Sequence, residues 1–319
     1  MDLSVAKNIF MRIGPDYIQL YPTMRCNQSC GFCFNRSMPV VPDLSLDDFR
    51  AMLDVFNKAA VGTLDIMGGE PTLHPEIVQL IHEAVTAGLS VNVSSNGSNL
   101  TVLQDISKIG EAVTVGISVN DWKTFEQVRG FIVAHQPIVK SVFSPAMDTN
   151  LIANILSLNP KRYYFIYRDA LQQHELPETV PFPRFLQAVE QGYDPAQVGM
   201  VYCQGFLPGE NNYPELAGVR CPAGTTKLGV LPDGSVYPCN LFFGKREFLL
   251  GNILSDSFES IWNHRALAFF RSAPVNACPE KSCAIHEQCH GGCPAQALVL
   301  SGDLSAPDPR CWPVTSMRS

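Results

Sequence analysis

Residues 25–34 read Arg-Cys-Asn-Gln-Ser-Cys-Gly-Phe-Cys-Phe, and they decide how the rest of the chain is interpreted. They follow residues 17–21, Tyr-Ile-Gln-Leu-Tyr, whose alternation predicts a strand. Cys26, Cys30 and Cys33 are separated by three and then two residues, so their thiolates can surround one four-iron cluster. A cluster with three protein ligands leaves one iron open to bind a small molecule, whereas a structural metal site fills its coordination shell. A zinc knuckle or three unrelated buried thiols are the alternatives.

The composition limits the class of protein. A chain of 319 residues has room for roughly two domains, and no apolar run approaches the 18 or so residues of a membrane span, so we expect no membrane partner. Eleven cysteines, with no signal-peptide pattern over residues 1–12, indicate metal ligation in a reducing cytoplasm rather than disulfides. A net charge of -7 disfavours binding along phosphates, so nucleic acid is not an expected partner.

Apolar periodicity predicts six strands, each followed by a helix or a loop. Ser45 with Asp48 forms a capping pattern, and the next helix begins at Pro75 and stops at Gly88. We therefore predict an α/β fold in which right-handed crossovers roll a parallel sheet into a partial, TIM-like (β/α)6 barrel. Its active site is expected at the carboxyl ends of the strands. The predicted strands are 17–21, 63–67, 90–94, 112–119, 138–144 and 162–167.

The cysteine spacing resembles that of the radical S-adenosylmethionine (radical SAM) enzymes. In that superfamily the open iron chelates the methionine moiety of SAM, and reductive cleavage gives a 5'-deoxyadenosyl radical. The resemblance implies a 4Fe-4S cluster on Cys26, Cys30 and Cys33, SAM as a second cofactor, and a low-potential electron donor such as flavodoxin or ferredoxin. It implies an enzyme, an oxidoreductase or a peptide-modifying maturase, that abstracts hydrogen from an unactivated C–H bond.

Residues that follow the predicted strands are candidates for SAM binding. The segment Gly68-Gly69-Glu70-Pro71 resembles the family's Gly-Gly-Glu-Pro motif, which grips the methionine amino group; a plain turn is the alternative. Phe32 stands where the superfamily places an aromatic ring against adenine, unless it is a core aromatic. The remaining candidates are Ser95 and Asn96, which resemble a Thr-Asn-Gly element or form an ordinary Asn-Gly turn, and Ser118 and Asn120, where related enzymes contact the methionine carboxylate or the ribose.

The sixth strand delivers polar residues to the predicted barrel mouth. Tyr167, Arg168 and Asp169 are candidates for contact with the substrate, although alternation buries about half of such a strand. Cys203 is a further candidate, as a donor of a proton or hydrogen to the substrate. No pair of acid and base stands out from the sequence.

Seven cysteines lie between residues 221 and 311. The Pro-Asp-Gly turn at 232–234 predicts a hairpin that brings Cys221 and Cys239 towards one another. The segment resembles the SPASM domain, which binds two auxiliary iron-sulfur clusters. That resemblance assigns Cys221, Cys239 and Cys293 to a cluster near the barrel, and Cys278, Cys283, Cys289 and Cys311 to a distal one. The family usually has two residues between the first pair of the four-cysteine group, whereas Cys278 and Cys283 have four between them, so the role of Cys278 stays open.

The proximal cluster has no evident fourth ligand. Cys203, which precedes Cys221, can supply this fourth ligand. Otherwise Cys203 is a buried thiol, or the iron stays open for substrate. His286 and His290 raise a zinc-ribbon alternative, but two zinc sites need eight ligands in paired spacing.

The predicted domains are a radical SAM barrel over 1–195, a connection over 196–214 and a SPASM domain over 215–319. The SPASM-like segment resembles domains of peptide and protein maturases more often than domains of small-molecule enzymes. We therefore expect a ribosomally made peptide as substrate. Oxidation or rearrangement of a small metabolite, such as a sugar or amino acid, is the alternative. The alternative from another class is a non-catalytic metal-binding interaction protein. Such a protein has no use for a methionine clamp such as Glu70. The residues before Tyr17 are too few for a fused leader-binding domain, so a separate leader-binding protein or the barrel edge is expected to capture a leader.

Overall fold

The computed structural model describes residues 13–208, 216 and 218–311. Residues 1–12, for which no signal peptide is predicted, and residues 209–214 of the predicted connection lie outside the described residues. The strands are β1 Tyr17–Leu20, β2 Thr63–Ile66, β3 Ser90–Ser95, β4 Val113–Ser118, β5 Ile138–Val142, β6 Arg162–Ile166, β7 Val198–Val201, β8 Lys227–Val230, β9 Ser235–Tyr237 and β10 Gly251–Asn252. The α-helices are α1 Leu46–Lys58, α2 Ile77–Thr86, α3 Leu100–Ser107, α4 Trp122–His135, α5 Thr149–Ser157, α6 Phe182–Gly192, α7 Phe258–Trp262 and α8 Pro294–Ser301.

One sheet runs through the described residues in the order β10-β9-β8-β1-β2-β3-β4-β5-β6-β7. Strands β8 and β1 to β7 are parallel, and β9 and β10 are antiparallel additions at one edge. The six predicted strands are all present, and the prediction of a mostly parallel, TIM-like α/β fold is confirmed. The carboxyl ends of β1 to β6, which carry the predicted SAM-binding and substrate-binding residues, therefore lie on one rim.

The sheet extends beyond the six predicted strands. Strand β7 lies within residues 196–214, which were expected to be a connection, and it pairs with β6. Its sequence, Val-Gly-Met-Val, is too short for a clear alternation, so its pairing with β6 defines it. Strand β8 forms the predicted hairpin with β9 but also pairs in parallel with β1. The positions of the domain boundaries stay a prediction.

Local signals place the helices as expected. The Ser45 hydroxyl accepts a hydrogen bond from the Asp48 amide at 3.1 Å, which satisfies one of the unpaired donors at the start of α1. Helix α1 then buries Phe49, Met52 and Phe56 against the sheet. The core fills the layer between helices and sheet. Among the described residues, no helix is long and apolar enough to cross a membrane.

The opposite face of the strands lines the barrel interior and is polar. Gln19 of β1 lies opposite Asp65 of β2, which lies opposite Asn92 of β3. Lys140 of β5 lies opposite Ser118 of β4. Because residues alternate between the two faces of a strand, this polar set faces inward while its apolar neighbours face the helices. The barrel interior is therefore lined in part by polar side chains.

Candidate active site

The base of the cysteine loop is fixed where it leaves β1. Asp43 accepts a hydrogen bond from the Thr23 hydroxyl at 2.6 Å and forms an ion pair with Arg25. Burial raises the pKa of Asp43, but the hydrogen bonds from Arg25 and Thr23 outweigh it, and the net pKa is lowered. Arg25 also donates to the Leu73 carbonyl at 2.7 Å. The residue before Cys26 is thus tied to two other loops of the rim.

The three predicted cluster ligands share one exposed loop. Cys26 is exposed, and Cys30 and Cys33 are half-buried. Burial raises the pKa of Cys30, and the neighbouring Cys33 and Cys26 raise it further, so the three sulfurs lie in one small region. The Gln28 amide donates to the Cys26 sulfur at 3.5 Å. Three thiolates on one open loop suit a cluster that leaves one iron accessible.

The two glycines after β2 lie directly against the cysteine loop. The Gly69 amide donates to the Thr23 carbonyl at 3.0 Å, and the Glu70 amide donates to the Arg25 carbonyl at 2.7 Å. A Cβ atom on Gly69 would lie closer than 3.0 Å to the Arg25 carbonyl oxygen, and one on Gly68 would meet that of Thr23. Gly68 also has a φ of +127°. The glycines therefore allow two loops of the protein to touch, a cause that the sequence did not indicate.

The Glu70 side chain joins the ends of β2 and β3. It is 1% exposed. One carboxylate oxygen accepts from the Thr72 hydroxyl at 2.6 Å, the Thr72 amide at 3.1 Å and the Ser95 hydroxyl at 2.8 Å. The other accepts from the Asn96 amide at 2.7 Å. Its observed role is to position this rim, while the predicted contact of Glu70 with a methionine amino group stays a prediction. Pro71 begins the short 3-10 helix that holds Thr72 in place.

The other predicted SAM contacts lie along the same rim. The Asn96 side chain donates to the Asn27 side chain at 2.9 Å, which links the end of β3 to the cysteine loop. Asn120 accepts from the Val142 amide at 2.8 Å, so this side chain continues the pairing of β4 with β5. Phe32 and Ser118 are half-buried, and Phe32 lies outside the hydrophobic core. Phe32, Asn96 and Ser118 are thus partly accessible, as a ligand contact requires.

Two opposite charges of the barrel interior, Lys140 and Asp65, are not singled out by the sequence. The Lys140 ammonium donates to the Ser94 hydroxyl at 2.6 Å, and the end of the Lys140 side chain packs against Gly116. Burial lowers the pKa of Lys140, and the nearby Asp65 carboxylate offsets part of that effect. Burial raises the pKa of Asp65. The sequence signal that could have indicated Lys140 and Asp65 is a charged residue at an inward-facing position of a mostly apolar strand.

Tyr167 and Arg168 have partners within the protein. Tyr167 is 3% exposed, and its hydroxyl donates to the Val180 carbonyl at 2.7 Å. Arg168 forms an ion pair with Glu178. Both side chains hold the segment before α6 against the barrel mouth, and their contact with a substrate stays a prediction.

Asp169 connects the barrel mouth to the C-terminal segment. It accepts hydrogen bonds at 3.0 Å from Arg310 and from Gln296, which are buried. Burial raises the pKa of Asp169, and Arg310 counteracts part of this. The last residue of the predicted substrate set therefore belongs to a tertiary contact between β6 and the cysteine-rich part.

Four cysteines gather beside β8. The Cys203 thiol is close enough to interact with those of Cys221 and Cys293, and the interaction with Cys221 is the largest cause that raises the pKa of Cys203. Burial raises the pKa of Cys239 to about 11, and Cys293 is close enough to add to this rise. These sulfurs come from four separate segments. A set of four thiols is the donor set of a fully ligated 4Fe-4S cluster, so these residues fit the proximal cluster.

The distal set lies on the loop before α8 and at the end of the described chain. Burial raises the pKa of Cys289 to about 11, and Cys278 adds to it. Burial also raises the pKa of Cys311, which lies near Cys289. Among described residues, no three cysteine, histidine or carboxylate side chains converge on a single ion. A cubane does not need such convergence, because each thiolate binds a different iron atom.

The two histidines of the zinc-ribbon alternative have other partners. His290 lies 2.8 Å from the Val219 carbonyl, and His286 lies 3.2 Å from the Lys281 ammonium. Burial lowers the pKa of His290. These contacts account for one nitrogen of each ring.

Two family models match the chain. The radical SAM superfamily matches residues 20–142, and SPASM, an iron-sulfur cluster-binding domain, matches residues 221–294. The chain is 25% identical to the mycofactocin maturase MftC of Mycobacterium tuberculosis, over 91% of this chain and 81% of that protein. It is 24% identical to the PqqA peptide cyclase of Streptomyces rochei, over 91% of this chain and 87% of that protein.

Solved structures have the same fold. SuiB of Streptococcus suis bound to S-adenosylmethionine superposes with a TM-score of 0.77 at 18% identity, over 98% of this chain and 80% of that chain. SuiB bound to its precursor peptide SuiA superposes with a TM-score of 0.75 at 17% identity, over 98% of this chain and 79% of that chain. The two family matches together cover more than half of the chain, and they include the Gly68 to Pro71 loop and every cysteine assigned above except Cys203 and Cys311. The radical SAM domain implies a 4Fe-4S cluster and SAM, and the SPASM domain implies auxiliary iron-sulfur clusters. This chain belongs to the radical SAM superfamily and carries a SPASM domain.

Proposed function

We propose that this enzyme cleaves SAM reductively and modifies a ribosomally synthesised peptide at an unactivated carbon. The observation that carries the proposal is the loop of Cys26, Cys30 and Cys33, held by backbone hydrogen bonds against residues 68–70 at the carboxyl ends of the strands. The names of the relatives MftC and PqqA peptide cyclase, and the complex of SuiB with SuiA, support a peptide as the substrate.

The first cluster and SAM, when bound, supply the radical that abstracts hydrogen from the substrate. The chain's own residues hold and orient these groups. Cys26, Cys30 and Cys33 would hold the cluster, and the loop around Glu70 would hold the cationic end of SAM. Phe32, Asn96 and Ser118 border the same space. The polar interior below this rim receives the substrate.

The cysteine-rich part holds two auxiliary clusters. We assign Cys221, Cys239 and Cys293 to the proximal cluster, and the contact of Cys203 with Cys221 and Cys293 supports Cys203 as its fourth ligand. Ligation by four thiolates requires a reducing compartment, which supports a cytoplasmic location. The distal cluster is assigned to Cys278, Cys283, Cys289 and Cys311.

We propose two further partners. Reductive cleavage needs a low-potential donor such as flavodoxin or ferredoxin. A separate leader-binding protein, or the barrel edge, would deliver the precursor peptide. The second candidate function is oxidation or rearrangement of a small metabolite, which the polar barrel interior also suits.

The cluster assignment is tested on anaerobically reconstituted protein. Three four-iron clusters predict about 12 irons per chain. Replacing Cys26, Cys30 and Cys33 together by alanine should remove about a third of that iron and abolish formation of 5'-deoxyadenosine, because the auxiliary sites lack the rim that holds SAM. Zinc with little iron, or unaltered SAM cleavage by the triple variant, would overturn the assignment.

The substrate class is tested with the reduced enzyme, SAM and a short precursor peptide encoded beside its gene. We expect peptide-dependent 5'-deoxyadenosine formation and a changed mass, changed fragmentation or solvent-deuterium uptake in the peptide. The triple cysteine variant is the control. An unchanged peptide, together with turnover on a sugar or an amino acid, would establish the metabolite alternative.

A further inference from the structure

The two auxiliary sites share one buried ion pair. Asp308 and Arg310 are 1% and 3% exposed, and they lie in the segment that leads to Cys311. The two Asp308 oxygens accept from Arg310 at 3.0 Å and 2.7 Å, so the contact is bidentate. A bidentate pair of this kind has a fixed geometry as well as a favourable energy.

The pair contacts the backbone at ligands of both clusters. One Asp308 carboxylate oxygen accepts from the amide of Cys293, a proximal ligand, at 3.0 Å. The carbonyl of Asp308 accepts from the amide of Cys311, a distal ligand, at 3.2 Å. One residue thus holds a ligand of each cluster.

Arg310 extends the contact to the barrel mouth. Its guanidinium donates to Asp169 at 3.0 Å and to the Arg168 carbonyl at 2.9 Å, at the end of β6. It also lies 4.4 Å from the ring centre of Tyr167. A cation this deeply buried acts on its surroundings through a low dielectric, where it is screened little.

We propose that Asp308 and Arg310 form a shared charge-tuning site, which positions both auxiliary clusters and sets their reduction potentials together. The proposal rests on the ligand assignment given under the proposed function. An anion beside a cluster opposes the negative charge added on reduction, and a cation favours it. Asp308 therefore makes both potentials more negative, and Arg310 makes both more positive.

Redox titration of the reconstituted holoenzyme, followed by electron paramagnetic resonance, tests the proposal. The variants are Asp308→Asn, which keeps the shape and removes the charge, Arg310→Gln, which removes the cation, and Arg310→Lys, which keeps it. We expect Asp308→Asn to move the reduction potentials of both auxiliary clusters in the positive direction. We expect Arg310→Gln to move both in the negative direction. Arg310→Lys should stay closer to the wild type, and the first cluster should not move in any variant.

The outcomes distinguish a failure of the shared site from a failure of the ligand assignment on which it rests. A wild-type chain without auxiliary clusters would refute the ligand assignment itself. The shared site is refuted if variants that keep the iron content of the wild type show no shift in potential, or a shift in one auxiliary cluster only. It is also refuted if Asp308→Asn and Arg310→Gln shift the potentials in the same direction. If Arg310→Gln loses iron, Asp308→Asn decides alone: a positive shift of both potentials supports the proposal, and any other result, including loss of its clusters, overturns it.

Discussion

At the scale of single residues, the buried carboxylate of Glu70 joins two strand ends of the rim. It accepts four hydrogen bonds, from Thr72, Ser95 and Asn96. A buried donor left without its partner costs about 1–3 kcal/mol. The same negative charge lies on the rim where the cationic end of SAM is proposed to bind. We therefore expect this one side chain to affect both stability and SAM binding.

Replacing Glu70 by alanine should lower stability by about 1–3 kcal/mol or more, because several buried donors lose their acceptor. It should also weaken SAM binding while leaving the iron content intact, since the hydrogen bonds that the Glu70 carboxylate accepts come from Thr72, Ser95 and Asn96. Urea unfolding, equilibrium dialysis with SAM and iron analysis measure the three effects. The matched control is Glu190→Ala, at an exposed position of α6. Equal SAM affinity in the Glu70 variant would show that the clamp is misassigned.

At the scale of elements, the loops after β1 and β2 form one unit. Gly68 and Gly69 let their backbone approach that of Thr23 and Arg25, and two backbone hydrogen bonds close the contact. Cys26 follows directly. The position of Cys26, the first proposed cluster ligand, thus depends on a contact between two loops, each held by its own strand.

Replacing Gly69 by alanine should separate these loops, because its Cβ would overlap the Arg25 carbonyl oxygen. We expect a loss of about a third of the iron, that of the first cluster, and a lower unfolding midpoint. Gly130→Ala is the control, since this glycine lies within α4 with no atom within 4 Å of a Cβ. It should stabilise the protein by about 0.5–1 kcal/mol. Full iron and unchanged stability in the Gly69 variant would contradict the loop contact.

At the scale of the whole molecule, the cysteine-rich part and the barrel share one sheet. Strand β8 pairs with β1 over four residues, and the amides of Asp16, Tyr17 and Tyr21 donate to carbonyls on or beside β8. Asp169 and Arg310 make a second contact at the barrel mouth. The two parts therefore stabilise each other.

A fragment of residues 1–195 should not fold by itself, because it exposes the paired edge of β1 and part of the core beneath it. We expect it to aggregate or to unfold without cooperativity, as judged by size-exclusion chromatography and circular dichroism during urea titration. Co-expression with residues 196–319 should restore solubility. A soluble, cooperatively unfolding fragment would show that the predicted boundary marks an independent domain.

Local patterns were sufficient for the elements of the barrel. Strand alternation, the Ser45 cap and the helix stop at Gly88 depend on neighbouring residues, so the six strands and their helices were predictable. The spacing of Cys26, Cys30 and Cys33 is local too, which is why the first cluster site and its family could be inferred from the residues alone.

The tertiary structure decided what depends on distant partners. The sequence determined that β8 is a strand of a hairpin, but only packing selected β1, from the other end of the chain, as its second neighbour. In the same way, the contact of Cys203 with Cys221 and Cys293, and that of Asp169 with Arg310, join segments with no common period. Such partners are chosen by burial and hydrogen bonding in the folded chain, and those energies have no signature in the residues on either side.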